Sequence, residues 1–115
     1  MINKRQIGEE YENKAIEFLQ KEGYEILMHH FYTRFGEIDI IGKNDGYICF
    51  IEVKFRSNKN FGRAIEAIDL KKQKTIIKIS KIYISKNNLS YNLPYRYDVI
   101  CFDNDSINLY KNAFP

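Results

Sequence analysis

Gly36-Glu37-Ile38-Asp39-Ile40-Ile41-Gly42-Lys43-Asn44-Asp45-Gly46-Tyr47-Ile48-Cys49-Phe50-Ile51-Glu52-Val53-Lys54 is the stretch from which the fold is read. β-branched and aromatic residues fill both halves, and Asp45-Gly46 stands between them, so the stretch reads as two strands joined by a tight turn. With a two-residue loop, Asn44 faces Tyr47. Asp39 then lies opposite Glu52, and Glu37 opposite Lys54. Side chains on one face of an antiparallel pair repeat every two residues, so these four share a face. A four-residue loop keeps that face with a shifted pairing. A three-residue loop separates Asp39 from Glu52 unless a bulge corrects it.

Like charges directly opposite on a sheet are destabilising, and two carboxylates with Cβ atoms roughly 5 Å apart need something between them. A hard divalent cation, Mg²⁺ or Mn²⁺, takes oxygen ligands of this kind. Lys54 projects beside Glu52, where an ammonium steadies developing negative charge or orients a water. Charged residues also occur on ordinary solvated strand faces. Here, however, one face carries Ile38, Ile40, Cys49, Ile51 and Val53, and the charged face carries Ile41, Ile48 and Phe50. A pair apolar on both sides is buried near its middle, and charges seldom sit there without a partner or a metal.

The chain has 115 residues, enough for one domain spanning 1–115. No apolar run is long enough to span a membrane, and Met1-Ile2-Asn3-Lys4-Arg5-Gln6 has no apolar segment after its charges, so the expectation is a cytoplasmic protein with no membrane partner. Cys49 and Cys101 both sit in apolar strand patterns and are expected as buried, reduced thiols. Net charge is +3, too small to demand a polyanionic partner on its own. Where the charges fall says more.

Residues 4–21 read as a helix closed by Gly23. Tyr11, Ala15, Phe18 and Leu19 form its apolar stripe, and Glu12 falls in line with Ala15, Ile16 and Leu19, an odd place for a carboxylate. Residues 24–33 read as a strand. His29 and His30 are adjacent in it and should point to opposite faces, so the pair cannot jointly hold one metal in regular strand geometry. Thr33-Arg34-Phe35-Gly36 turns into the hairpin, with Arg34 near the acidic residues in sequence. After Lys54, residues 55–63 form a polar, basic loop in which Arg56, Lys59 and Arg63 are candidates for phosphate contact.

A short helical turn is expected at 64–68, then a longer helix to Lys86 capped by Asp69. Lys71, Lys74, Lys78 and Lys81 make one basic stripe along it, either a solvated face or a contact for a nucleic-acid backbone. Residues 95–102 and 107–110 read as strands. The order helix, three strands, helix, two strands gives an α/β domain. Nothing resembles a phosphate-cradling glycine loop, a zinc-ligand Cys/His set or a Ser-His-Asp triad.

Asp39 followed by Glu52-x-Lys54 on the next strand resembles the PD-(D/E)XK nuclease signature. The longer string Gly36-Glu37-Ile38-Asp39-Ile40-Ile41, Phe50-Ile51-Glu52-Val53-Lys54-x-Arg56, Phe61-Gly62 and Glu66-Ala67 is similar to the YraN-like family of small bacterial endonuclease-like proteins. The resemblance runs from the first helix to Asn112-Ala113-Phe114, with Ile38-Asp39 where the superfamily has Pro-Asp.

The resemblance implies a restriction-endonuclease-like domain, a mixed central sheet flanked by helices. It implies Mg²⁺- or Mn²⁺-dependent hydrolysis of DNA phosphodiester bonds, with branched DNA among the substrates. Glu12-x-x-Ala15 matches the family's first-helix Glu, which makes Glu12 a third ligand beside Asp39 and Glu52, with Glu9 as second choice and Lys54 completing the catalytic set. Gln73 enters only by analogy as a residue approaching the site. Arg96-Tyr97-Asp98 resembles a family segment and suggests a supporting role for Asp98. Junction resolvases with this layout are symmetric dimers, so a homodimer is open to test, as is RNA in place of DNA. The competing reading is a non-catalytic nucleic-acid-binding protein on a nuclease-like scaffold.

Overall fold

The computed structural model describes residues 4–56, 68–103 and 106–115, with side chains from residue 6 onward in those ranges except that of Arg56. The elements are α1 (Lys4–Lys21), β1 (Glu25–Thr33), β2 (Gly36–Asn44), β3 (Tyr47–Arg56), α2 (Leu70–Lys86), β4 (Tyr95–Asp103) and β5 (Ser106–Phe114). The five strands form one sheet in the order β1-β2-β3-β4-β5. All neighbours are antiparallel except β3 and β4, which run parallel. A parallel return needs a crossover, and α2 lies in the segment that supplies it. This is the restriction-endonuclease-like layout, a mixed sheet with a helix on each face.

The hairpin forms as its turn residues dictate. Asp45 (φ 53°) and Gly46 (φ 82°) both take positive φ, and Asn44 pairs with Tyr47. The ladder runs back to Ile40–Ile51 in the register expected for a two-residue loop. α1 ends where Gly23 reaches φ 92°, which lets the Tyr24 N–H bond the Leu19 carbonyl at 2.9 Å. α2 begins at Asp69, whose carboxylate accepts from the Lys72 N–H at 2.7 Å.

Two apolar clusters sandwich the sheet. Ala15 and Leu19 of α1 bury against Ile40, Cys49, Ile51, Ile100 and Phe102. Ile76, Ile79, Tyr83 and Ile84 of α2 bury against Ile41, Ile48, Phe50 and Val99. Both cysteines are buried, and neither is in a disulfide. Ile38 departs from the expected alternation: it joins the α2 cluster, although Ile40, two residues on, joins the α1 cluster. The change of face falls at Asp39, just beyond the last β2–β3 rung.

β5 is longer than the 107–110 expected, because it stays paired with β4 past an irregularity between Tyr97 and Val99. The expected helical turn at 64–68 lies outside the described residues apart from Ile68, which is buried.

A buried polar network ties the sheet together at Asp98. Its carboxylate accepts from Tyr24 Oη (2.7 Å), Arg96 Nε (2.9 Å) and the Asn112 N–H (2.9 Å). Arg96 also donates to Asn44 Oδ1 at 2.7 Å. Burial and the hydrogen bond to Asp98 push the Tyr24 hydroxyl up, and the Asp98 contacts outweigh burial to keep Arg96 charged. Asp98 is thus a structural anchor, as its sequence context suggested.

Candidate metal centre

The carboxylates gather where β2 and β3 stop pairing. Asp39 and Glu52 are buried, 8% and 7% exposed. In place of the missing rung, Asp39 Oδ2 accepts the Val53 N–H at 2.8 Å. Glu12, one turn before Ala15 on α1, is largely buried as well. Carboxylate oxygens of Glu12, Glu37 and Asp39 lie within 4.8 Å of one another. Glu52 lies outside that trio and meets Lys72 Nζ of α2 at 3.7 Å. A cavity of about 320 Å³ opens over the group, lined by Ile7, Gly8, Tyr11, Glu12, Glu37, Asp39, Glu52, Val53, Phe55 and Lys72.

The electrostatics follow from crowding. Burial, then the hydrogen bond and charge of Asp39, push Glu52 up to about 9, against the pull of Lys72 and Lys54. Burial and Asp39 also raise Glu12, against His30 and His29. The Glu12, Glu37 and Asp39 donor set is all oxygen and closely spaced, which fits a hard divalent cation. Glu12, Glu37 and Asp39 would hold such an ion, with Glu52 beside them.

His29 and His30 correct the sequence reading. His30 adopts φ 61°, which breaks the two-residue alternation. Both imidazoles consequently turn to the same side, stacked with centroids 4.1 Å apart. Both Nε2 atoms reach Glu12 Oε2, at 3.3 Å from His29 and 2.6 Å from His30. His30 Nδ1 reaches Glu37 Oε2 at 3.0 Å. Burial alone would lower the His30 pKa, but the Glu37 hydrogen bond and the charges of Glu12, Glu37 and Asp39 raise it.

Other candidates fall in several places. Lys54 lies close enough for its charge to act on Glu52, yet Lys72 is the lysine that lines the cavity. The expected Glu37–Lys54 pairing lies past the end of the ladder, and Glu37 pairs with Tyr32 of β1 instead. Glu9 lines an adjoining cavity with Glu12, His30 and Glu37, outside the carboxylate set. The Gln73 side chain donates to the Ile68 carbonyl at 3.0 Å.

Arg34 is exposed and stacks on Phe35, whose ring is also covered by Lys78 Nζ at 3.7 Å. Arg34 thus accompanies the basic helix rather than the carboxylates. Lys71, Lys74 and Lys78 form the exposed stripe expected on α2. Lys59, Arg63 and the Arg56 side chain lie outside the described residues.

A mixed sheet with a helix on each face, carrying carboxylates from α1, β2 and β3 at one end of a hairpin, defines a restriction-endonuclease-like protein with an acidic centre. The chain belongs to the uncharacterised protein family UPF0102, whose profile matches residues 11–102. It is 40% identical over 113 residues to a UPF0102 protein of Lachnoclostridium phytofermentans, covering 98% of this chain and 96% of that one. It is 42% identical over 112 residues to one of Fusobacterium nucleatum, covering 96% and 92%. A third, of Caldicellulosiruptor bescii, is 42% identical over 119 residues, covering 98% and 100%. No helix among the described residues is long and apolar enough to cross a membrane.

Proposed function

We propose that this chain is a Mg²⁺- or Mn²⁺-dependent endonuclease hydrolysing DNA phosphodiester bonds, branched DNA among its substrates. The observation that carries the reading is the convergence of Glu12, Glu37 and Asp39 oxygens within 4.8 Å, in a cavity that Glu52 also lines. A divalent cation held there supplies Lewis acidity and charge neutralisation at a phosphodiester. The chain's own residues do the rest. Asp39, fixed by the Val53 N–H, lines the cavity. Lys72 and Lys54 place positive charge beside Glu52, where a phosphorane's extra negative charge would be stabilised. Tyr11 and Phe55, with rings 4.4 Å apart, present an apolar wall to a sugar or base. Lys71, Lys74, Lys78 and Arg34, all exposed, would contact the nucleic-acid backbone.

Mn²⁺ titration by calorimetry on the native chain and Asp39→Asn, with cleavage of linear and branched DNA in the same buffers, tests this. Binding and cleavage that fall together in the variant support the reading. A native chain that binds DNA but takes up no Mn²⁺ leaves a non-catalytic binding protein as the better account.

A further inference from the structure

We propose that His29, His30 and Glu12 form a second metal site, sharing only Glu12 with the carboxylate set and suited to a borderline transition ion, Zn²⁺ above all. The three donors, His29 Nε2, His30 Nε2 and a Glu12 oxygen, lie within 4.8 Å of one another. Two imidazoles and one carboxylate with a fourth position open is a recurrent zinc set, whereas Mg²⁺ and Mn²⁺ favour oxygen. Donors on one tetrahedral zinc lie roughly 3.3 Å apart, given bonds near 2.0–2.1 Å. The His29–Glu12 separation is already 3.3 Å, and the His30–Glu12 contact of 2.6 Å needs to widen by about 0.7 Å.

Two further observations point the same way. His30 Nδ1 is engaged by Glu37 Oε2 at 3.0 Å. A carboxylate holding the far ring nitrogen fixes the tautomer that leaves Nε2 as ligand, the usual support behind a metal-bound histidine. His30 also holds φ 61°, a costly conformation for a residue with a Cβ, and it is this conformation that turns both rings to one side. A cavity of about 440 Å³, lined by Gly8, Glu9, Glu12, His30, Tyr32 and Glu37, gives an ion access and leaves room for water or an anionic oxygen in the open position. Glu12 belongs to both sets, so the two ions would be neighbours. The histidine site does not depend on the nuclease reading, because Asp39 and Glu52 take no part in it.

The experiment is calorimetric titration of the full chain with Zn²⁺ and, separately, Mn²⁺, on the native protein, His29→Ala, His30→Asn and Asp39→Asn. Asn tolerates positive φ, so His30→Asn removes the ligand without forcing the backbone. Zn²⁺ affinity should fall on the order of 100-fold in each histidine variant and stay within about threefold in Asp39→Asn. On the native chain, ring ¹⁵N spectra should show Zn²⁺ moving the Nε2 resonances of both histidines, a readout that needs no variant. Undiminished Zn²⁺ affinity in both histidine variants overturns the site, as do unmoved Nε2 resonances, or loss of Zn²⁺ together with Mn²⁺ in Asp39→Asn. Mn²⁺ binding lost only in Asp39→Asn supports two separate sites. Zn²⁺ binding with no Mn²⁺ uptake by the native chain supports the histidine site while ending the nuclease reading.

Discussion

Asp39 Oδ2 accepts the Val53 N–H at 2.8 Å, so a side chain on β2 closes the gap that the strand's own backbone leaves in the sheet. The carboxylate therefore has a structural duty and a chemical one, and two substitutions separate them. Asp39→Asn keeps an oxygen for Val53 and should cost little stability while lowering Mn²⁺ affinity by more than about 100-fold, beyond the loss typical of a residue that merely supports a ligand. Asp39→Ala should show the same metal defect and lose a further ~1–3 kcal/mol in urea unfolding, from the unpaired N–H. Equal stability of the two variants would mean that Val53 finds water in place of the carboxylate.

Glu52 makes stability depend on pH in a stated direction. Its pKa is about 9 in the fold against an ordinary 4.5, so the folded state holds a proton that the unfolded chain gives up. That stabilisation is fully present below about pH 4.5 and is lost as pH rises towards and through about 9. Unfolding midpoints of the metal-free protein should fall over that window, and Glu52→Gln should flatten the fall. Lys72→Met should move the Glu52 titration upward, because the Lys72 charge opposes the shift. Direct titration of the Glu52 carboxyl by NMR, in the native chain and in Lys72→Met, checks the sign.

Position 30 tests the backbone rather than the imidazole. At φ 61° a β-branched residue is strained and Asn is not. His30→Val should be less stable than His30→Asn by about 1–2 kcal/mol in urea unfolding, both having lost the contacts to Glu12 and Glu37. Equal stabilities would indicate that the segment relaxes to regular strand.

Asp98 is expected to govern folding while leaving the acidic centre's chemistry alone. Asp98→Ala strands the Arg96 guanidinium, Tyr24 Oη and the Asn112 N–H in the interior, and should cost about 3–5 kcal/mol. Tyr24→Phe removes one neutral donor and should cost only ~1 kcal/mol. Denaturation midpoints of the two variants give the comparison.

The basic stripe makes a salt-dependence prediction. If Lys71, Lys74 and Lys78 each neutralise a phosphate, changing all three to Gln should reduce the slope of log affinity against log salt on duplex DNA by about 2–3. An unchanged slope would assign those lysines to solvent.

Much of this architecture was legible because the hairpin's chemistry is local. Asp45-Gly46 fixed the turn, the turn fixed the register as far as Ile40–Ile51, and alternation then brought Asp39 and Glu52 to the same end. Gly23 and Asp69 marked helix ends by similarly short-range chemistry. The misreading of the histidine pair depends on a single backbone angle. Nothing in Met28-His29-His30-Phe31 announces a left-handed residue, although His is among the types enriched there.

Lys72 was readable by the logic that singled out Glu12. It stands four residues before Ile76 and seven before Ile79, at the head of the buried stripe, yet the exposed run of lysines beside it drew the reading away. Glu37 was placed on the acidic face and given no role, because its partners lie on α1 and β1, beyond the reach of hairpin arithmetic.

The Asp98 network also orders events in time. Its partners come from the first quarter of the chain (Tyr24), from the hairpin (Asn44, through Arg96), from β4 itself and from Asn112 near the end. A nascent chain emerging N-terminus first can coil α1 and close the hairpin early. It cannot satisfy its most buried carboxylate until the segment carrying Asn112 has been translated. The network is therefore complete only once the strand that carries Asn112 has docked against β4.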